Sequence, residues 1–403
     1  MRIFNIATLV IILLLSGLNT AFAQEKNKDE RVGVNVKPTV GLHGRIQYDF
    51  EFLKIKDGIA SGEDYTSKGQ EFRRVSLEAG GAIYKNIKYK VQIELAGGGV
   101  AYRDIYIQFT DLPLVGGDFS LGSVAEPTGL EMATSSKYMP FTERAMLTNT
   151  QNFRWNSGLH YSNFGLMNGQ LGLQMSYAFN GNNKEGFLDT DLQEGNHFVA
   201  RLTSPVVLNN EKNQLIHLGI NYEHRQRTSE AADYILKFRP ENHIGNKISV
   251  PTPALETQQD VGFELAGILG PFSLQTEYEL AGYLTKDKDY TIKAYYVAAT
   301  YFITGEHRAY KHGAFSRVKP FENFCAKDKE FSAIELAIRY SVMDYSDIIT
   351  TGFDDRVSDI TVGVNWYLNS HTRMMYNYVV TDFHAKGDNN PLHANLVRAQ
   401  TDF

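Results

Sequence analysis

Ile87-Lys88-Tyr89-Lys90-Val91-Gln92-Ile93-Glu94-Leu95 carries an apolar or aromatic side chain at every odd position and a charged or amide one at every even position. A period of two belongs to a β-strand with one apolar and one wet face, because successive side chains of an extended chain point to opposite sides. The same dyad appears where Val75, Leu77 and Ala79 alternate with Arg74, Ser76 and Glu78, and where Leu171, Leu173, Met175, Tyr177 and Phe179 alternate with Gln170, Gln174 and Ser176. It returns at Ile216 to Glu223, at Phe272 to Leu280 and at Asp359 to Leu368. Helical periodicity is nearly absent, so the chain reads as all-β.

The 403 residues are 43% hydrophobic and 12% aromatic with only 11 Pro, which excludes a disordered or collagen-like chain. Cys325 is the single cysteine, which rules out an internal disulfide, a cysteine zinc cluster and a CxxC redox site. The formal charge is −6 with no basic run, so no nucleic-acid partner is expected. At the N-terminus, Arg2, the apolar run Ile6 to Leu15 and Ala21-Phe22-Ala23 read as a signal peptide over residues 1–23. Its removal leaves 39 Lys+Arg against 46 Asp+Glu, a charge of −7. No cysteine follows the cleavage point to accept a lipid. Residues 24–38 form a charged periplasmic lead-in, and 39–403 form one domain.

No later stretch reaches the roughly 18 uncharged apolar residues of a membrane helix. A soluble sandwich also alternates, but these segments run about 10 to 14 residues against the usual 5 to 6. Their tyrosines fall near the ends of the apolar face, where an aromatic girdle would lie. Both features favour a transmembrane antiparallel β-barrel in the outer membrane. The predicted strands lie near 39–53, 70–83, 86–97, 100–110, 117–124, 154–163, 170–180 and 195–205. Eight more lie near 213–227, 259–269, 271–284, 290–304, 330–344, 356–369, 371–383 and 391–403. About 16 strands satisfy the even count of single-chain barrels. Tight turns at Gly270-Pro271 and Asn369-Ser370 set the parity, which makes 228–258 one long outer loop and puts 305–329 on the periplasmic side. No physical reason for so long an inner connection is legible. The last strand ends with Val397, Ala399, Thr401 and Phe403 on one face, and a terminal Phe403 resembles the signal read by the barrel assembly machinery.

Phe72-Arg73-Arg74, Tyr102-Arg103-Asp104-Ile105-Tyr106-Ile107, Glu126-Pro127-Thr128-Gly129-Leu130-Glu131 and Thr142-Glu143-Arg144-Ala145 resemble the phosphate-selective porin O/P family. Tyr301-Phe302-Ile303-Thr304-Gly305-Glu306, Gly363-Val364-Asn365-Trp366-Tyr367-Leu368-Asn369 and the closing Arg398 to Phe403 extend the likeness over nearly the whole mature chain. The resemblance implies a 16-stranded homotrimeric outer-membrane porin in which a loop, here about 125–153, folds into the lumen and narrows it. It leaves the solute open: where phosphate-selective members tend to carry a Gly-Arg-Arg-like step after the loop, this chain has Phe153-Arg154-Trp155-Asn156.

A pore wall must replace the hydration a solute loses, and cationic side chains in a narrow low-dielectric constriction favour anions. Alternation puts Arg74, Lys88, Lys90, Arg201, Arg225, Arg339 and Arg398 on the wet face, with Lys137, Arg144 and Arg154 on the constricting loop. Glu126-Pro127 and Gly129 read as the hinge that turns the loop inward, since Pro fixes φ and Gly permits conformations others avoid. His160 and Ser162 share a face but lack a third orienting group, so catalysis is not expected. The histidines show no metal spacing, Gly97-Gly98-Gly99 precedes a strand rather than a helix, and no metal or cofactor is expected. The expected partners are outer-membrane lipid and lipopolysaccharide, and small polar solutes such as phosphate or polyphosphate. The competing reading is a closed barrel that serves as a scaffold or adhesin through loops 54–69, 181–194 and 228–258.

Overall fold

The computed structural model describes residues 37–55, 65–113, 115–150, 155–179, 194–227, 235–245, 247–252, 254–327, 330–348, 355–383 and 391–403. The predicted signal peptide and Arg154 lie outside them. In the first half the chain forms β1 (Gly41–Ile55), β2 (Tyr65–Tyr84), β3 (Ile87–Glu94), β4 (Ala101–Phe109), β5 (Asp118–Ala125), β6 (Trp155–Leu166), β7 (Leu171–Ala178), β8 (Glu194–Asn209) and β9 (Gln214–Arg227). Then come β10 (Ile235–Phe238), β11 (Ile248–Pro251), β12 (Thr257–Leu269), β13 (Phe272–Leu284), β14 (Tyr290–Phe302), β15 (Ala309–Lys311) and β16 (Ala314–Ser316). The last four are β17 (Ala333–Asp344), β18 (Arg356–Tyr367), β19 (Thr372–Asp382) and β20 (Leu392–Asp402). Two short helical turns, α1 (Leu130–Ala133) and α2 (Met146–Thr150), lie between β5 and β6.

Sixteen of these strands close into one antiparallel barrel, with β1 hydrogen-bonded to β20 from Arg45↔Asp402 to Ile55↔Leu392. Closure leaves no unpaired edge, the condition for a sheet to cross a membrane. The apolar file of each strand faces outward: Phe52 is 51% exposed, Ile338 52% and Ile360 50%. The polar file faces in, and β20 alternates buried and half-buried residues over its whole length. The predicted strands all pair. The eighth outruns its expected end at Pro205 and reaches Asn209, because the register shifts between Pro205 and Val207. At such a bulge the missing proline N–H breaks no ladder bond.

Three inserts occupy the lumen. The segment between β5 and β6 folds in from the outer end. The outer loop before β12 contains the ribbon β10–β11, whose Leu236, Phe238 and Val250 pack with Met146, Leu147, Tyr283, Ile292, Met343 and Val357 into a buried apolar cluster. From the periplasmic end the β15–β16 hairpin rises inside and sets Phe315 and Tyr310 against Leu130, Leu215 and Ala266. This gives the long connection after β14 a physical role: it supports the loop from beneath.

Of the irregularities in the opposite wall, two bear on the lumen. Between the pairs Gln47↔Arg74 and Tyr48↔Phe72, β2 holds the extra residue Arg73. Between Val91↔Ile105 and Ile93↔Tyr102, β4 holds Arg103 and Asp104 where β3 holds only Gln92. A bulge lets two successive side chains point to the same side.

Candidate pore constriction

The loop begins at Glu126, which is buried and accepts hydrogen bonds from Asn156 Nδ2 at 2.7 Å and His197 Nδ1 at 2.8 Å. At Gly129 the backbone has φ 150°, and a Cβ there would run into the Glu277 carboxylate. That carboxylate accepts the N–H groups of Leu130 and Glu131, each at 2.8 Å, which satisfies the exposed donors at the start of α1. Glu126 and Gly129, two of the three residues read as the hinge, are thus each held against the barrel wall at the start of the loop.

Beyond α1 the loop crosses the lumen and is stitched to β17–β20. Asn365 donates to Pro140 O at 2.8 Å, Arg373 to Met139 O at 2.7 Å, and Asn377 accepts Thr142 N–H at 2.6 Å. Glu143 is the chief latch. Arg73 grips its carboxylate with two hydrogen bonds of 2.8 and 2.9 Å, and Arg398 adds a third at 2.9 Å while bonding Asp49 at 2.7 and 2.6 Å. Burial opposes ionisation of Glu143, but the Arg73 and Arg398 guanidiniums overcome it and hold the carboxyl well below the usual range. Arg339 meets Glu131 at 3.0 Å, donates to Glu143 O at 2.9 Å and stacks 4.3 Å above Phe141.

With the loop tied to that side, a cleft remains against β1–β5. It encloses a cavity of about 500 Å³. Seven cationic side chains line it (Arg45, Arg73, Arg74, Lys90, Arg103, Lys137 and Arg144) against four carboxylates: Glu71, Glu78, Glu94 and Asp104. Several cations are already engaged. Lys90 bridges Asp104 at 3.0 Å and Glu78 at 3.2 Å; Arg103 stacks 4.6 Å above Trp155, whose indole donates to Asp104 at 2.8 Å; Arg45 donates to Ser136 Oγ at 2.6 Å. Lys137 stands over Tyr138, and burial lowers its pKa.

Of the residues singled out by sequence, Lys137, Arg144, Arg74 and Lys90 come together on this cavity. Arg144 is 5% exposed and folds back onto the carbonyls of Glu131 and Thr134, at 3.3 and 2.9 Å, so it braces the loop as much as it faces the cleft. Lys88 is exposed, near the turn after β2, and does not line the cavity. Arg201, Arg225, Arg339 and Arg398 face inward as alternation requires but lie away from the cavity, because inserts and carboxylates cover them. Arg201 bonds Glu264 at 2.7 and 2.6 Å and the hairpin carbonyl of Gly313 at 2.8 Å; Arg225 meets Glu223 at 2.5 Å.

Strand reasoning missed Arg45, Arg73 and Arg103. Arg45 shares a face with Gln47, Asp49 and Glu51, a signal present in the sequence. Arg73 and Arg103 owe their inward aim to bulges that no alternation announces. Asp49, Glu51 and Glu71 bring carboxylate oxygens within 4.8 Å of one another, but Arg398 answers Asp49, the N–H groups of His243 and Ile244 answer Glu51, and the His243 ring answers Glu71.

The sequence profile described as "Phosphate-selective porin O and P" matches residues 40–403. The chain belongs to that family. This porin is 28% identical to Porin O of Pseudomonas aeruginosa over 373 residues, covering 84% of this chain and 82% of that one. In three dimensions it is similar to an anion-selective porin from Comamonas acidovorans, with TM-score 0.56, 14% identity and coverage of 91% of this chain and 100% of the other. It is also similar to the trimer form of OmpT of Vibrio cholerae, with TM-score 0.54, 14% identity and coverage of 91% and 100%. The porin is an outer-membrane protein, as its closed barrel and outward apolar files require.

Proposed function

We propose that this porin passes small anions, phosphate-like species among them, by passive diffusion through the cleft between the loop and β1–β5. The excess of cationic over acidic side chains on the cavity carries this reading: seven against four. In a narrow low-dielectric passage, fixed charge of one sign raises the local concentration of counter-ions and repels co-ions. The family's description, phosphate-selective porin O and P, supports the same solute class. Lys137 and Arg103 are the residues expected to set selectivity, since both line the cleft outside the Glu143 latch. The test is the reversal potential in planar bilayers under gradients of chloride, phosphate and pyrophosphate. The expected result is a preference for anions that moves toward cations in Lys137→Glu with Arg103→Glu; a potential unchanged by the double substitution refutes the assignment.

Three further readings belong to this proposal. Residues 1–23 direct export and are removed, Phe403 is read during barrel assembly, and the porin works as a homotrimer. The V. cholerae OmpT trimer supports the last, and so does the low wall: β3, β5 and β7 have 8 residues and β4 has 9, whereas β12–β14 have 13. About 9 to 11 tilted residues are needed to cross a bilayer, so the short arc suits contact with neighbouring copies. Cysteine crosslinking across β3–β5, in Cys325→Ser, should yield trimers on denaturing gels. Monomers alone refute that placement.

A further inference from the structure

The segment that follows the periplasmic hairpin leaves the lumen and runs along the outside of the barrel rim. Phe324 N–H donates to Leu368 O at 2.7 Å, and the Trp366 indole donates to Phe331 O at 2.7 Å. The Phe324 ring meets the Trp366 ring edge-on, centroids 4.9 Å apart and planes at 83°. Trp366 stands in the outward file of β18 with Ile360, Val362 and Val364, which are exposed to the hydrocarbon side. Phe324 therefore sits on the lipid-facing surface, at the periplasmic end of that file.

Its neighbours extend the patch. Phe321 and Phe331 are each 69% exposed, and Ile303, just past β14, is 53% exposed. Lys319 and Lys327 are exposed beside them. The backbone beneath is fixed: Val318 is buried with Phe302, Ala333 and Tyr367, and Ser332 Oγ donates to Glu322 O at 2.7 Å. A rigid patch of large exposed aromatics is costly in water. It suits the membrane interface, where aromatic rings settle at headgroup level and lysines reach the phosphates.

We propose that residues 319–327 and 330–332 form a binding site for glycerophospholipid of the periplasmic leaflet. Phe321, Phe324 and Phe331 enter the glycerol and upper acyl layer, and Lys319 and Lys327 take the headgroup phosphate. The argument rests on continuity with the lipid-facing band through Trp366; Lys319 and Lys327 offer ammonium groups to a phosphate, while Glu322 and Glu330 of the same segment balance their charge and leave the exposed aromatics as its main driving feature. It concerns the outside of the barrel and stands whether or not the pore selects anions.

Cys325, the chain's only cysteine, lies in this segment and offers the test in the unaltered protein. A nitroxide on Cys325, in vesicles of phosphatidylethanolamine and phosphatidylglycerol, should be relaxed more by oxygen than by a water-soluble nickel chelate, which places it just below the headgroups, in the glycerol and upper acyl layer. In a second measurement, Lys319→Glu with Lys327→Glu should retain less phospholipid through detergent purification by native mass spectrometry, by about fivefold per lysine. Phe321→Ser with Phe331→Ser should lose it as well, with the barrel verified by its heat-dependent gel migration. A nitroxide as open to the nickel chelate as one in bulk water overturns the proposal, as does undiminished lipid retention. Shielding that appears only when peptidoglycan sacculi are added overturns it too and assigns the patch to the cell wall.

Discussion

The two sides of the lumen use the same residue type for opposite ends. On β17–β20 and on β8–β9, arginines are covered: Arg339, Arg373 and Arg398 hold the loop, and Arg201 holds the periplasmic hairpin. On β1–β4, arginines line a cavity of about 500 Å³. What separates the two sets is whether an insert lies over them. A guanidinium under an insert is a buried ion-pair partner, worth little in net stability but costly to orphan. Those beside the cleft are held too, Arg45 by Ser136 and Arg73 by Glu143, but Arg45, Arg73 and Arg103 are half-buried rather than covered, so their fields reach a passing ion.

The largest effect should come from breaking the link between the sides. Glu143→Ala leaves Arg73 and Arg398 without their shared carboxylate, at a cost of about 3 to 5 kcal/mol. The loop should then release, and single-channel conductance should rise; unchanged conductance and thermal stability would show that Glu143 is no latch. Because its native pKa is depressed, the stabilisation from Glu143 is present above its unfolded pKa and fades as pH falls through the folded value. Conductance in the unaltered porin should therefore stay constant as acidification passes through the ordinary carboxylate range and increase only at pH well below it.

The next effect sharpens the contrast in selectivity. Removing one charge from the cleft, as in Lys137→Gln or Arg103→Gln, should lower the anion-to-cation permeability ratio by about two- to fivefold. Arg201→Gln, on the covered side, should leave the ratio unaltered while lowering the unfolding temperature, because Glu264 loses its bidentate partner. Equal shifts in the ratio for both classes would erase the distinction.

Alternation made the wall legible: Arg74, Lys90, Arg201 and Arg398 all face inward as the dyad requires, and the strands pair in the order read from the chain. What the dyad could not carry was occupancy. Whether Arg398 meets solvent or Glu143 depends on where a loop some 250 residues earlier in the chain comes to rest. Nor could it place Arg73 and Arg103, since a bulge shifts the phase of the alternation at a point that only strand pairing reveals. The connection after β14 lacked a rationale in sequence because its partners, Leu130, Gly129's neighbour on the loop, and Arg201 on β8, are remote along the chain.

The smallest expected effect concerns Lys137. Burial lowers its pKa from the ordinary 10.5, so its charge is lost at a lower pH than that of an exposed lysine. Anion preference should decline as pH rises toward that value, and Lys137→Arg, which stays charged, should remove the decline. A decline that persists in Lys137→Arg would point to another group.

Cysteine accessibility tests the central claim most directly. In a Cys325→Ser background, cysteines at Arg103, Lys137, Arg201 and Ser341, the last buried on β17 with its hydroxyl on Glu241, would be treated with a charged methanethiosulfonate during single-channel recording. If solute passes only between the loop and β1–β5, the reagent should reduce current at positions 103 and 137 and leave it unchanged at 201 and 341. Block at 201 and 341 at the same rate as at 103 would mean that the covered side conducts, and would contradict the account.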